Sequence, residues 1–235
     1  MIKLKRKLSA LVFGLAVSLT SAFSQSAFAA DVGPGTTVPV SGTTEAADPT
    51  LAGLVLYDQV LPFSITLATG GTITGTFQDR VVRSDVLGTL DFYARIISDR
   101  SSAGGVTAFL RAYFNNYPGT GSTASMDYRT DGLGSVAPLW ATRSPDSSGA
   151  GFYFDFNNNT QGLAAGEESF FMFYRTTATA FDVKGYGYVA HYNGSGYDYS
   201  DALRLAQPVP EPETYALLMA GLGLLGAVAR RRKNS

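Results

Sequence analysis

Tyrosine recurs at positions 186, 188, 192, 197 and 199, close to the end of the long central part of the chain. Flat amphipathic rings on a sheet face or loop can stack on pyranose rings, while their hydroxyls satisfy sugar hydroxyls. Tyr186, Tyr188, Tyr192 and Tyr197, with Tyr199 beside them, are therefore candidate sugar-stacking residues. The plainer role for the same residues is structural, because Tyr is a good strand former with a wet tip. Trp140, the single tryptophan, reads as core or rim packing.

Other reactive groupings are sparse. His191 is the only histidine and cysteine is absent, so a multi-histidine zinc site and thiol chemistry are both excluded, as is a disulfide framework. His191 has Ser195 and Asp198 near it in sequence, yet the chain holds no G-x-S-x-G elbow to present a nucleophile. Its expected place is a strand end before an Asn193-Gly194 turn. Glu167 and Glu168 are adjacent and on a strand would face opposite ways, which rules them out as a glycosidase pair with each other. Asp155 to Gly162 offers oxygen ligands at alternate positions, but Thr160 stands where a calcium loop needs glycine and Gly166 where it needs a bidentate glutamate. An Asn-rich loop is expected there, with no metal, no cofactor and no catalytic residue assigned.

The elements that must position these side chains are strands. Leu90, Phe92, Ala94 and Ile96 alternate with Asp91, Tyr93, Arg95 and Ile97, and Val106, Ala108, Leu110, Ala112 and Phe114 alternate with Thr107, Phe109, Arg111 and Tyr113. Period two with one apolar face is a half-buried strand. The same pattern holds for Phe152, Phe154 and Phe156 and for the runs 169–176 and 180–190, with arginines at outward positions. Turns rich in Gly, Asn, Ser and Asp separate the runs, at Thr69-Gly70-Gly71, 99–105, 118–125, 144–150, 157–162 and 193–196. No amphipathic helix is expected between 51 and 205. The predicted fold is all-β, an antiparallel sandwich of jelly-roll-like or barrel-like form over residues 51–207. Residues 30–50, rich in Gly, Pro and Thr, read as a flexible lead-in or an early edge strand.

Both ends read as addresses. Lys3, Lys5, Arg6 and Lys7 precede an apolar region from Leu8 to Thr20 and then Ala27-Phe28-Ala29, the layout of a secretory signal peptide over residues 1–29. At the other end Pro208, Pro210 and Pro212 hold the chain extended around Pro210-Glu211-Pro212. An apolar stretch from Tyr215 to Ala229 follows, predicted as one transmembrane helix, and Arg230, Arg231, Arg232 and Lys233 close it as a cytoplasmic stop. Its 15 residues span about 22 Å against roughly 30 Å of hydrocarbon, a gap that snorkelling arginines and local thinning close. Eight of the 18 cations belong to these two addresses, while 17 of the 19 acids lie between Asp31 and Asp201. The exported region is thus acidic, which argues against nucleic acid as a partner.

The run Val209-Pro210-Glu211-Pro212-Glu213-Thr214-Tyr215-Ala216-Leu217-Leu218, the glycine-rich apolar stretch and the Arg-Arg-Arg-Lys close resemble the PEP-CTERM sorting domain of Gram-negative bacteria. The resemblance covers about residues 208–233 and departs mildly at Glu213 and Tyr215, where the family commonly has Ser or Ala and an aromatic such as Trp. It implies recognition by an exosortase, processing near Pro210-Glu211-Pro212, and a setting of exopolysaccharide and biofilm. Signal peptidase and exosortase are the expected processing partners, with the membrane a transient one. The expectation is a non-enzymatic protein, anchored in the inner membrane with its C-terminus cytoplasmic and then released to the cell surface or matrix, where it is structural or adhesive. The alternative is a carbohydrate-binding module engaging exopolysaccharide through the tyrosine-rich region.

Overall fold

The computed structural model describes residues 29–112, 123–145, 151–156 and 162–209, together with 219–222, 224–225 and 230 near the C-terminus. Among the described residues thirteen strands run in chain order: β1 (Ala30–Val32), β2 (Thr37–Pro39), β3 (Gly53–Thr66), β4 (Thr72–Ser84), β5 (Leu90–Ser98), β6 (Ala108–Ala112), β7 (Ala124–Arg129), β8 (Trp140–Arg143), β9 (Phe152–Asp155), β10 (Phe171–Arg175), β11 (Ala180–Tyr192), β12 (Tyr197–Tyr199) and β13 (Leu203–Val209). They form two sheets. The first has the order β1-β7-β10-β5-β4-β3 and the second β12-β11-β6-β9-β8-β2, with β13 also pairing β11. Every pairing between these strands is antiparallel.

The two sheets face each other across one shared core. Phe77, Phe92, Met126 and Tyr174 of the first sheet meet Phe109, Phe152, Phe154, Val189 and Leu205 of the second. The Phe77 and Phe109 rings lie 4.7 Å apart, and the Phe152 and Tyr174 rings stack at the same distance. Stacked and tilted pairs of this kind add to what burial alone contributes. The strands expected around residues 90–97, 152–156 and 180–190 are present, and the turn at Asn193-Gly194 closes β11 onto β12 through Asn193 Oδ1, which accepts from the Gly196 amide at 3.0 Å.

Three features depart from the sequence reading. Residues 30–50 supply β1 and β2, which pair β7 and β8 at the outer edges of the two sheets, so the early edge strand is the alternative that holds. In β6 the alternation is as expected but its faces are reversed, with Phe109 and Arg111 buried and Leu110 and Ala112 half-buried. The large Phe109 ring outweighs the small side chains opposite it in phase, and Arg111 enters the core because Asp79 awaits it. Arg95 and Arg143 are buried as well, against the expectation of outward arginines. β5 is covered on both faces, since Leu51, Val82, Tyr93, Phe171 and Phe173 form a second, smaller cluster over the outer side of the first sheet.

Arg111 is the polar centre of the core. Its Nη2 donates to Asp79 Oδ1 and its Nη1 donates to the Ala206 carbonyl at 2.8 Å, while Asp79 Oδ2 accepts from the Ala206 amide at 2.7 Å. The guanidinium also sits 5.9 Å from the ring centroids of both Phe92 and Phe109. A buried charge pair persists only when its remaining donors and acceptors are satisfied. Here one residue of β13 satisfies both partners, and the last strand is thereby locked to both sheets.

Candidate functional site

The outward side chains of the second sheet follow from its register. Ala190 lies opposite Tyr199 of β12 and Ala108 of β6, Ala108 opposite Asp155 of β9, and Asp155 opposite Trp140 of β8. The neighbouring row runs from Tyr188 through Leu110 and Tyr153 to Thr142 and Thr37. Cross-strand neighbours on one face sit within side-chain reach, so these two rows make one surface. Small residues, Ala108 and Ala190, floor it between aromatic walls. The result is a groove of about 220 Å³ lined by Ala108, Leu110, Thr142, Tyr153, Asp155, Ala190, Tyr197 and Tyr199. That volume is below the roughly 300 Å³ at which drug-sized pockets begin, which suits a shallow subsite for part of a larger molecule.

The tyrosines are held by one another. Tyr192 and Tyr197 have ring centroids 5.2 Å apart, Tyr197 and Tyr199 6.0 Å, and Tyr188 meets Tyr199 edge-on at 6.2 Å. Tyr197 and Tyr199 are 43% and 51% exposed, a large share for rings fixed in place. Tyr192 donates its hydroxyl to the Gly194 carbonyl at 3.0 Å, tying its ring to the hairpin. Among the described residues the hydroxyls of Tyr197 and Tyr199 make no hydrogen bond. Burial, then the charge of Asp155 and the neighbouring phenols, raises the Tyr197 phenol above its usual value, and burial with Tyr153 raises Tyr199. Both stay neutral near pH 7, able to donate and accept at once.

Of the five tyrosines singled out in the sequence, Tyr188, Tyr192, Tyr197 and Tyr199 come together. Tyr186 shares their face of β11 but lies under the guanidinium of Arg204, 5.0 Å from its ring centroid. Trp140, read as packing, stands 42% exposed on this outer face beside Asp155. Sequence alone does not bring Tyr153, Thr142 and Asp155 to the tyrosines, because the pairing of β9 and β8 with β6 is a long-range register that a single sequence does not display.

The remaining candidates are engaged within the protein. His191 Nδ1 bonds the Gly105 carbonyl at 2.7 Å, whereas Ser195 Oγ and Asp198 both bond Asn193. Glu168 pairs with Arg95, and Glu167 accepts from the Ala164 amide at 2.8 Å. A second cavity, of about 240 Å³, lies over the outer side of the first sheet between Leu51, Val55, Tyr93, Leu133 and Phe171. Its two arginines are already engaged, Arg80 with Asp58 and Arg129 with Asp131. Among the described residues no group of three or more His, Asp or Glu is placed to hold a metal ion.

Pro210, Glu211, Pro212, Arg231, Arg232 and Lys233 lie outside the described residues, as do the predicted signal peptide up to residue 28 and the loop from Asn157 to Gln161. Residues 219–222, 224–225 and 230 are helical and exposed. No helix among the described residues is long and apolar enough to cross a membrane. The last strand, β13, ends at Val209, immediately before the Pro-Glu-Pro run.

Compared with known protein families, residues 208–233 match the PEP-CTERM protein-sorting motif. The chain therefore carries an exosortase sorting signal of the kind that directs proteins to the cell envelope or surface. No curated protein and no solved structure matches it.

Proposed function

We propose that this PEP-CTERM-bearing chain is a non-enzymatic, adhesive component of the cell surface or extracellular matrix that holds exopolysaccharide on the outer face of its second sheet. The observation that carries the reading is the Tyr197 and Tyr199 groove: exposed rings packed against each other, hydroxyls with no hydrogen bond among the described residues, and the small residues Ala108 and Ala190 beside them. Stacking on ring faces with hydroxyls nearby is the chemistry of sugar recognition. Asp155 in the groove and the excess of 17 acids over 10 cations in the exported region favour a neutral glycan over a uronic acid polymer.

The route to that site runs through the two termini. Signal peptidase removes residues 1–29, the apolar stretch 215–229 enters the inner membrane with Arg230 to Lys233 on the cytoplasmic side, and exosortase processing near Pro210-Glu211-Pro212 releases the domain. Affinity electrophoresis in gels containing the host polysaccharide tests the binding. The wild-type domain is expected to be retarded and a Tyr197→Ala, Tyr199→Ala variant to run freely. Unretarded wild type would remove glycan binding and leave a purely structural role.

A further inference from the structure

We propose that the pole of the sandwich from which the chain enters its sorting signal is a membrane seat, holding the domain on the bilayer surface until it is processed; this rests on the reading that residues 215–229 enter the membrane. The domain has almost no leash. Pro208 and Val209, the first two residues of the matched motif, are still paired in the sheet with Phe181 and Ala180. Only residues 210–214 separate Val209 from Tyr215, at most about 20 Å of chain even when fully extended. A headgroup layer takes up roughly 5–7 Å of that span on each side of the bilayer. Whatever lies at this pole therefore faces lipid at close range.

What lies there includes a set of exposed aliphatic side chains, with the exposed Arg83 and Asp85 beside them. The start of β11 is bound to the turn between β4 and β5: Leu90 donates its amide to the Ala178 carbonyl at 2.8 Å, and Arg83 Nη2 donates to the Thr179 carbonyl at 3.0 Å. That turn closes through the Gly88 amide on the Ser84 carbonyl at 2.9 Å and carries Val86 and Leu87 at its tip, 62% and 48% exposed. Tight turns usually present Gly, Asn, Asp or Ser to water, so two large aliphatic side chains at the tip need a partner. Leu54, 63% exposed, joins them, because it pairs with Arg83 at the start of β3. Burying Val86, Leu87 and Leu54 in the interface between headgroups and acyl chains removes them from water. Cleavage near the Pro-Glu-Pro run frees the domain from its helix, and three aliphatic side chains alone hold it only weakly, so the seat is temporary.

The absence of cysteine from the chain allows a clean test by single-cysteine labelling. Val86→Cys, Thr69→Cys and Leu222→Cys are each labelled with an environment-sensitive fluorophore in the full-length, unprocessed protein. Thr69 lies in the turn between β3 and β4, at the far end of a hairpin roughly 40 Å long. The chains are then reconstituted in phosphatidylethanolamine and phosphatidylglycerol vesicles with or without doxyl-labelled lipid. The seat predicts blue-shifted, doxyl-quenched emission at positions 86 and 222 and neither effect at 69. Quenching at 222 without quenching at 86 overturns the seat while leaving the anchor intact. A blue shift at 86 that doxyl lipid does not quench places the turn against protein, and this also overturns it. No quenching at 222 overturns the anchor reading and the seat with it.

Discussion

Asp91 is a carboxyl group buried to 1% exposure whose oxygens make no hydrogen bond among the described residues, with Arg175 Nε 3.7 Å away. Burial, opposed by Arg175 and assisted by the charge of Asp48, pushes its pKa up to about 7. The folded protein thus holds a proton between roughly pH 4 and pH 7 that the unfolded chain has lost. This group's contribution to stability is complete below about pH 4 and disappears as the pH rises to 7. Asp91→Asn removes the titration, so its melting temperature should match the wild type near pH 4 and exceed it by roughly 8–16 °C at pH 8. Thermal denaturation across that range checks the sign, and a difference that does not change with pH would contradict it. At Arg111 and Asp79 the opposite physics applies. Asp79→Leu should cost roughly 3–5 kcal/mol by stranding the guanidinium, and combining it with Arg111→Met should cost less than the two single changes added together, as measured by denaturant unfolding. Neither residue's role was legible in sequence, because an arginine at an alternating position reads as outward until the acid that receives it is known.

Turn chemistry was the most legible part of the elements. Gly70 and Gly71 close the β3–β4 hairpin and Gly194 closes β11 onto β12, each with positive φ, as their Gly-rich and Asn-Gly sequences imply. Gly134 is of the same kind but hidden in an unremarkable loop. Its φ is +102° and a Cβ there would fall 2.0 Å from the Ser169 carbonyl oxygen, whereas a Cβ at Gly196 meets open space without positive φ. Gly134→Ala should therefore destabilise by more than about 1 kcal/mol, and Gly196→Ala should be neutral or slightly stabilising by calorimetry. Strand existence was readable from period-two alternation in β5, β9 and β11. Which face turned inward was not, as β6 shows, since both of its faces carry apolar residues and the partner sheet decides between them. β1 and β2 were obscured for a related reason: strands of three residues with Pro and Thr gain their order from β7 and β8, not from local propensity.

At the scale of the whole molecule the sorting motif at residues 208–233 was legible because a short motif is read locally, without the fold. The groove was half legible. The tyrosines crowd together in sequence, but Trp140, Tyr153 and Asp155 reach them only through the strand order β12-β11-β6-β9-β8. On the proposed function, sorting belongs to the C-terminal motif and glycan binding to the outer face of the second sheet, so the two should be separable. The direct test follows the tagged protein, with the tag before residue 208, in its own host as wild type and as the Tyr197→Ala, Tyr199→Ala variant. Both should leave the membrane equally and without the apolar tail. The wild type should then sediment with the extracellular polysaccharide while the variant remains in the supernatant. Equal partition of the two between polysaccharide and supernatant would contradict the assignment of binding to this face.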